Sequence, residues 1–157
     1  MYLLKGDLLK LARDGNFDVI VHGANCFCRM GSGVAKQIRA EYPEAYDADC
    51  TTTPGDRNKL GSYTQVHTSD GFVIVNAYTQ FRFNRMGEKR DVFEYSAFDQ
   101  VLNKLAEEFP ASRIGFPMIG MGLACGDPIR IVTAIENFSK ILESTGGSVT
   151  LVDYDAA

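Results

Sequence analysis

Two short glycine-rich stretches hold the residues best suited to chemistry. The first is Met30-Gly31-Ser32-Gly33-Val34, and the second is Gly120-Met121-Gly122-Leu123-Ala124-Cys125-Gly126. Each stands directly before a helical pattern. Free backbone N–H groups and the helix dipole favour a negative group at such a junction. Glycine also lets the main chain come close to a ligand. Each charge-assisted hydrogen bond contributes about 1.5–3 kcal/mol, so a few amides could hold a diphosphate without any lysine. The alternative is that the glycines only end strands and permit turns. Neither loop has the Gly-Lys-Ser/Thr of a Walker motif, and neither cleanly matches the dinucleotide fingerprint G-x-G-x-x-G.

Side chains that could move protons are few. His22 ends an apolar run and is one of two histidines. Its ring titrates near neutrality and could act as a general acid or base, or it could be a packed strand-end residue. Asp127 precedes Pro128, which suits an N-cap followed by proline at N1. Its carboxylate could equally activate a water, and the two roles are compatible at a cleft rim. Paired, His22 and Asp127 would supply the two proton-transfer groups that phosphate monoester cleavage needs. His67 falls in a hairpin and reads as surface. Asp7 and Asn25 read either as a helix cap and a turn residue or as ligand contacts.

The four cysteines, Cys26, Cys28, Cys50 and Cys125, do not form a secreted disulfide framework. The Cys26-x-Cys28 pair lacks a second pair at zinc-ligand spacing, so no metal site and no cofactor are expected. Cys28 and Cys125 could approach each other across the two loops. Phe81, Phe83 and the arginines around them could stack on a base or form an ordinary exposed loop. Tyr154, after the last strand, is either a simple terminal aromatic or a contact for a ligand ring.

These residues must be held by alternating strands and helices. Strands are predicted over Tyr2 to Leu4, Phe17 to His22, Ser62 to His67, Phe72 to Tyr78, Ile114 to Ile119 and Val149 to Val152. Helical patterns cover Leu8 to Ala12, Gly33 to Tyr42, Val92 to Phe109 and Pro128 to Leu142. Pro43 marks the end of the second helix. Thr68 to Gly71 is a hairpin signal, which makes the sheet mixed. Residues 50–61 and 81–91 read as loops. The expected fold is a three-layer α/β/α sandwich with a mixed, mostly parallel sheet of about six strands. Residues 1–157 read as one domain. Ligands in such folds bind where strands lead into helices, and both glycine loops fall there.

A net charge of −4 argues against a nucleic-acid backbone or a membrane surface as the main partner. The first residues lack a signal-peptide layout. A cytoplasmic monomer is the expectation.

At this point the sequence resembles the macrodomains, which bind ADP-ribose and its derivatives. The likeness is carried, in order, by "KGDLL" (5–9), "VIVHGAN" (19–25), "GSGVA" (31–35) and "FPMIGMGLACGDP" (116–128). It implies that Asp7 accepts from the adenine amino group and that Leu8 adds a backbone contact. Asn25 would sit near the distal ribose. Gly31, Ser32, Gly33 and Val34 would wrap one side of the diphosphate, and Gly120, Met121, Gly122 and Leu123 the other. Tyr154 would lie against the adenine or its ribose. The likeness is nearest to small members that act on ADP-ribose-1″-phosphate or remove ADP-ribosyl groups. It implies a hydrolase with His22, Asn25 and Asp127 as catalytic residues. A non-catalytic ADP-ribose-binding module is the alternative, because Ala124 stands where some members have a carboxylate. Some relatives use a mid-chain lysine; Lys59 and Lys89 are candidates by location alone.

Overall fold

The computed structural model describes residues 1–155. Six strands form one sheet: β1 (Tyr2–Gly6), β2 (Val19–Ala24), β3 (Tyr63–His67), β4 (Val73–Tyr78), β5 (Arg113–Pro117) and β6 (Ser148–Tyr154). Their spatial order is β1-β6-β5-β2-β4-β3. All pairings are parallel except β3 with β4, which form the hairpin expected from Thr68 to Gly71.

Five helices cover the sheet: α1 (Leu8–Arg13), α2 (Gly33–Glu41), α3 (Pro43–Cys50), α4 (Tyr95–Glu108) and α5 (Pro128–Ser144). β2 and β4 are buried along nearly their whole length, "VIVHGA" and "VIVNAY", as central parallel strands require. Alternate residues feed two cores. Val19, Val21, Val75 and Phe116 pack with Phe98, Leu105, Ile135 and Phe138 of α4 and α5. Ile20, Ile74 and Val152 pack with Leu9 of α1 and Ile38 of α2 on the opposite face. The expected three-layer sandwich is therefore present.

Differences from the sequence reading have local causes. Pro43 begins a helix as well as ending one. It occupies the first turn of α3, where its missing N–H costs nothing. The buried residues of α3 are Ala45 and Asp49, so the helix has no large apolar stripe to reveal it. A further short 3-10 turn, Arg57–Lys59, lies in the segment read as loop, capped by Asp56 Oδ1 accepting from Asn58 N at 2.9 Å. α4 starts three residues later than its pattern, because Val92 and Phe93 are held outside it. Val92 N donates to Ala124 O at 3.0 Å, and Gln80 and Phe93 form an isolated antiparallel bridge.

Candidate functional site

The first loop is shaped by Asn25, which follows the last residue of β2. Its Oδ1 accepts from Phe27 N and its Nδ2 donates to Arg29 O, both at 2.9 Å. Ser32 then takes the extended N-cap conformation before α2, but its hydroxyl makes no capping bond. The first helical bond runs from Lys36 N to Ser32 O. The N–H groups of Gly31, Ser32, Gly33, Val34 and Ala35 consequently meet no acceptor among the described residues.

The second loop follows β5. It is folded by Met121 N to Met118 O, Cys125 N to Gly122 O and Gly126 N to Gly120 O, at 3.2, 3.0 and 2.7 Å. The N–H groups of Gly122, Leu123 and Ala124 meet no acceptor among the described residues. Asn84 ties this loop to the 81–91 segment. Its Nδ2 donates to Leu123 O at 2.9 Å and to Arg90 O at 2.8 Å.

The glycines in the two loops are there for different reasons. A Cβ at Gly120 would lie 2.5 Å from the Phe93 ring, and one at Gly126 would lie 2.7 Å from Gly120 O. Packing requires glycine at both. Gly33 has φ +58, the left-handed region that disfavours side chains. Gly31 and Gly122 differ from all three. Neither has a positive φ, and beyond the flanking residues no described atom lies within 4 Å of the Cβ position at either. Both face a cleft of about 520 Å³, within the range of small-molecule sites.

Both loops line this one cleft, contributing Gly31, Ser32, Gly33 and Val34 from one side and Gly120, Gly122 and Leu123 from the other. Gly23 and Asn25 also line it. Among the described residues the lining contains Arg29 and Arg39 but no Asp, Glu, His, Lys or Cys. Fixed positive charge and backbone donors suit it to an anion. It lacks a side chain that exchanges a proton near neutral pH.

Two expected catalytic residues lie elsewhere. His22 is fully buried and absent from the cleft lining. Its Nε2 lies 2.6 Å from Asn76 Oδ1, while Asn76 Nδ2 donates to Ala45 O and Thr64 Oγ1. That arrangement makes His22 Nε2 the donor and fastens β2 to β4, β3 and α3. Burial lowers its pKa and keeps the ring neutral. Asp127 caps α5: its Oδ1 accepts from Ile129 N at 3.0 Å, and its own N donates to the Tyr95 hydroxyl. Asp127 does not line the cleft.

Four expected ligand contacts also fall outside the lining. Met121 packs against the α4–α5 core. Asp7 caps α1 through Leu9 N and Lys10 N, and accepts from Gln37 Nε2 of α2 at 3.1 Å. Leu8 is buried in the core beside it. Tyr154 stands exposed opposite Gly6 in the β1–β6 ladder. Asp7, Leu8 and Tyr154 thus gather at one corner, joined through Gln37 to the helix whose Val34 and Ala35 line the cleft. Lys89 is exposed, and Lys59 is buried beneath the first loop. Cys28 and Cys125 are not brought together: Cys28 Sγ turns toward Asp49 and Thr52, and Cys125 Sγ toward Leu123 and Asn84.

Arg29, Gln80, Phe83 and Asn84 line the cleft, and sequence reasoning found none of these roles except a possible stacking one for Phe83. Their only signal was position, just before a glycine loop or just after a buried strand.

Comparison with known proteins agrees with this fold. Residues 21–135 match the Macro domain family. The chain is 34% identical over 161 residues to an uncharacterized 17.5 kDa protein from the tk-vs intergenic region of Enterobacteria phage T4, covering 97% of this chain and 95% of that one. Its fold is similar to the macrodomain of Mycobacterium tuberculosis DarG (TM-score 0.70, 21% identity, 99% and 98% of the two chains covered). It is also similar to Thermosipho africanus DarTG in complex with ADP-ribose (TM-score 0.72, 16% identity, 98% of this chain and 42% of that one). The chain belongs to the macrodomain family.

Proposed function

We propose that this protein binds ADP-ribose or a close derivative, with the diphosphate held between the two glycine loops. One observation carries the reading: eight backbone N–H groups without an acceptor among the described residues, from residues 31–35 and 122–124, come from two loops that line a single cleft. Family membership and a solved neighbour in complex with ADP-ribose support the same ligand. Asp7, Leu8 and Tyr154 form the corner for the adenine end, and Asn25 stands at the distal-ribose end. The ligand's charge meets Arg29 and main-chain dipoles, and no lysine is needed.

The geometry favours binding over turnover. Of the three side chains expected to run hydrolysis, only Asn25 reaches the cleft, and its amide is engaged in shaping the loop. The second reading is hydrolysis of ADP-ribose-1″-phosphate or removal of an ADP-ribosyl group. It rests on Asn25 and on what the ligand itself supplies. Calorimetric titration with ADP-ribose, followed by product analysis after long incubation with ADP-ribose-1″-phosphate and with ADP-ribosylated protein, separates the two. Saturable binding with intact ligands is expected. Released phosphate or released ADP-ribose would replace the binding reading with the hydrolase reading, and absence of binding would remove both.

A further inference from the structure

Behind the first loop lies a cluster that ADP-ribose binding does not use. Lys59, in the turn after residue 56, is 6% exposed. Its Nζ donates to Thr52 Oγ1 at 2.7 Å, Cys26 O at 3.0 Å, Thr53 O at 3.3 Å and Cys28 Sγ at 3.7 Å. Among the described residues no carboxylate forms an ion pair with it. The nearby buried Asp49 spends Oδ1 on the Tyr78 hydroxyl, and its Oδ2 has no hydrogen-bond partner among the described residues. A buried ammonium that meets only neutral acceptors is unfavourable.

Cys28 is the other half of the cluster. It is 8% exposed and holds φ +57, a backbone conformation that residues with a Cβ avoid. Its thiol turns inward, with Asp49 O at 3.4 Å, Thr52 Oγ1 at 3.5 Å and Lys59 Nζ at 3.7 Å. No amine contacts the sulfur of Cys26, Cys50 or Cys125 among the described residues; Cys26 Sγ meets Gln80 O, and the Cys125 sulfur meets only a carbonyl and the Asn84 amide.

We propose that Cys28 and Lys59 form a redox modification site, in which dioxygen joins Cys28 Sγ to Lys59 Nζ through one bridging oxygen. The S–H bond and two N–H bonds of the ammonium break, and one S–O and one O–N bond form. The second oxygen atom leaves as water with two of the three hydrogens, and the third hydrogen departs as a proton. Sulfur and nitrogen each give up two electrons, and these four reduce the dioxygen. Thr52 Oγ1, within hydrogen-bonding reach of both groups, can pass the proton on. The product carries no buried charge. It also fastens the loop bearing Asn25, Arg29 and Met30, which line the cleft, to the turn bearing Lys59. A thiol reductant opens the link by attacking sulfur: the S–O bond breaks, the departing oxygen stays on Lys59 as a protonated N-hydroxyl, and a second thiol frees Cys28 from the mixed disulfide.

The test is peptide mass analysis of the full chain, kept either in air or without oxygen, and digested without reductant. The aerobic sample is expected to yield the peptides containing residues 28 and 59 joined, with one oxygen gained and two hydrogens lost. Dithiothreitol should separate them. Lys59→Arg keeps a buried cation and should abolish the joined species, as should Cys28→Ser. Recovery of both peptides unlinked after prolonged aeration would overturn the proposal. So would persistence of the joined mass in Lys59→Arg. This readout does not involve ADP-ribose, so it stands or falls separately from the proposed ligand.

Discussion

Gly33 and Leu123 face each other across the cleft: a Cβ added at Gly33 would lie 3.9 Å from Leu123 Cδ1. Gly33 and Leu123 are 90 positions apart in the sequence, yet their loops form opposite sides of one slot. The slot follows from topology, because β2 and β5 are parallel neighbours and each releases its glycine loop at its carboxyl end.

Gly31→Val and Gly122→Val test the slot without disturbing the fold, since neither Cβ meets an atom of the described residues within 4 Å. Each should displace the ligand from one or two amide donors. At about 1.5–3 kcal/mol per charge-assisted bond, ADP-ribose affinity should fall by roughly tenfold to several hundredfold or more. Calorimetry measures the loss, and a thermal melt should stay within a degree or two of the parent.

Gly120→Ala and Gly126→Ala should behave in the opposite way. The added methyl meets Phe93 or the Gly120 carbonyl well inside contact distance. Overpacking of this kind costs about 1–3 kcal/mol, and at Gly120 the positive φ adds strain. Denaturant unfolding should show the loss. A variant as stable as the parent would contradict the packing of this loop on Phe93.

His22 makes stability depend on pH. Burial lowers its folded-state pKa, while the unfolded ring titrates near about 6.5. The unfolded chain therefore binds the extra proton first. Stability should be full above about pH 6.5 and should decline as pH falls below it, by up to about 1.4 kcal/mol per pH unit until the folded ring also protonates. Urea titrations at several pH values measure the slope. His22→Leu should lower stability at neutral pH, by leaving Asn76 Oδ1 unpaired, and should remove this part of the acid-side slope.

Asn84→Leu should loosen the second loop from the 81–91 segment by deleting the bonds to Leu123 O and Arg90 O. At about 0.5–1.5 kcal/mol per bond, ADP-ribose should bind several-fold to about a hundredfold more weakly. Amide exchange at residues 122–125 should quicken. Unchanged affinity and exchange would mean that the second loop holds its shape alone.

Asp127→Ala should remove a helix cap and little else. A loss of about 1 kcal/mol in stability is expected, with ADP-ribose affinity unchanged by calorimetry. A large loss of binding would place the carboxylate in the site after all.

The sheet, the hairpin and both glycine loops were legible because their signals are local. β-branched runs, a Ser-Asp-Gly turn and glycines before helical stripes each speak for a few adjacent residues. α3 was not legible, because Ala45 and Asp49 carry its buried face and the polar partners of Asp49 come from the rest of the fold. His22 misled for a related reason. A histidine at a strand end looks available until Asn76, 54 positions later, is seen to hold its Nε2. The same limit hid Gln80 and Asn84, whose roles depend on which side of a sheet a loop returns to. Residue type announces a reactive group; only the three-dimensional neighbours decide whether it can reach anything.

Because the donors proposed for the anion are main-chain amides, any replacement that preserves the turn also preserves the donor. Such a site can outlast extensive drift in side-chain identity, and this chain keeps the architecture of solved neighbours with which it shares only 16–21% of its residues. At Gly31 and Gly122, which no packing contact among the described residues requires, the merit for such a ligand is the side chain they lack.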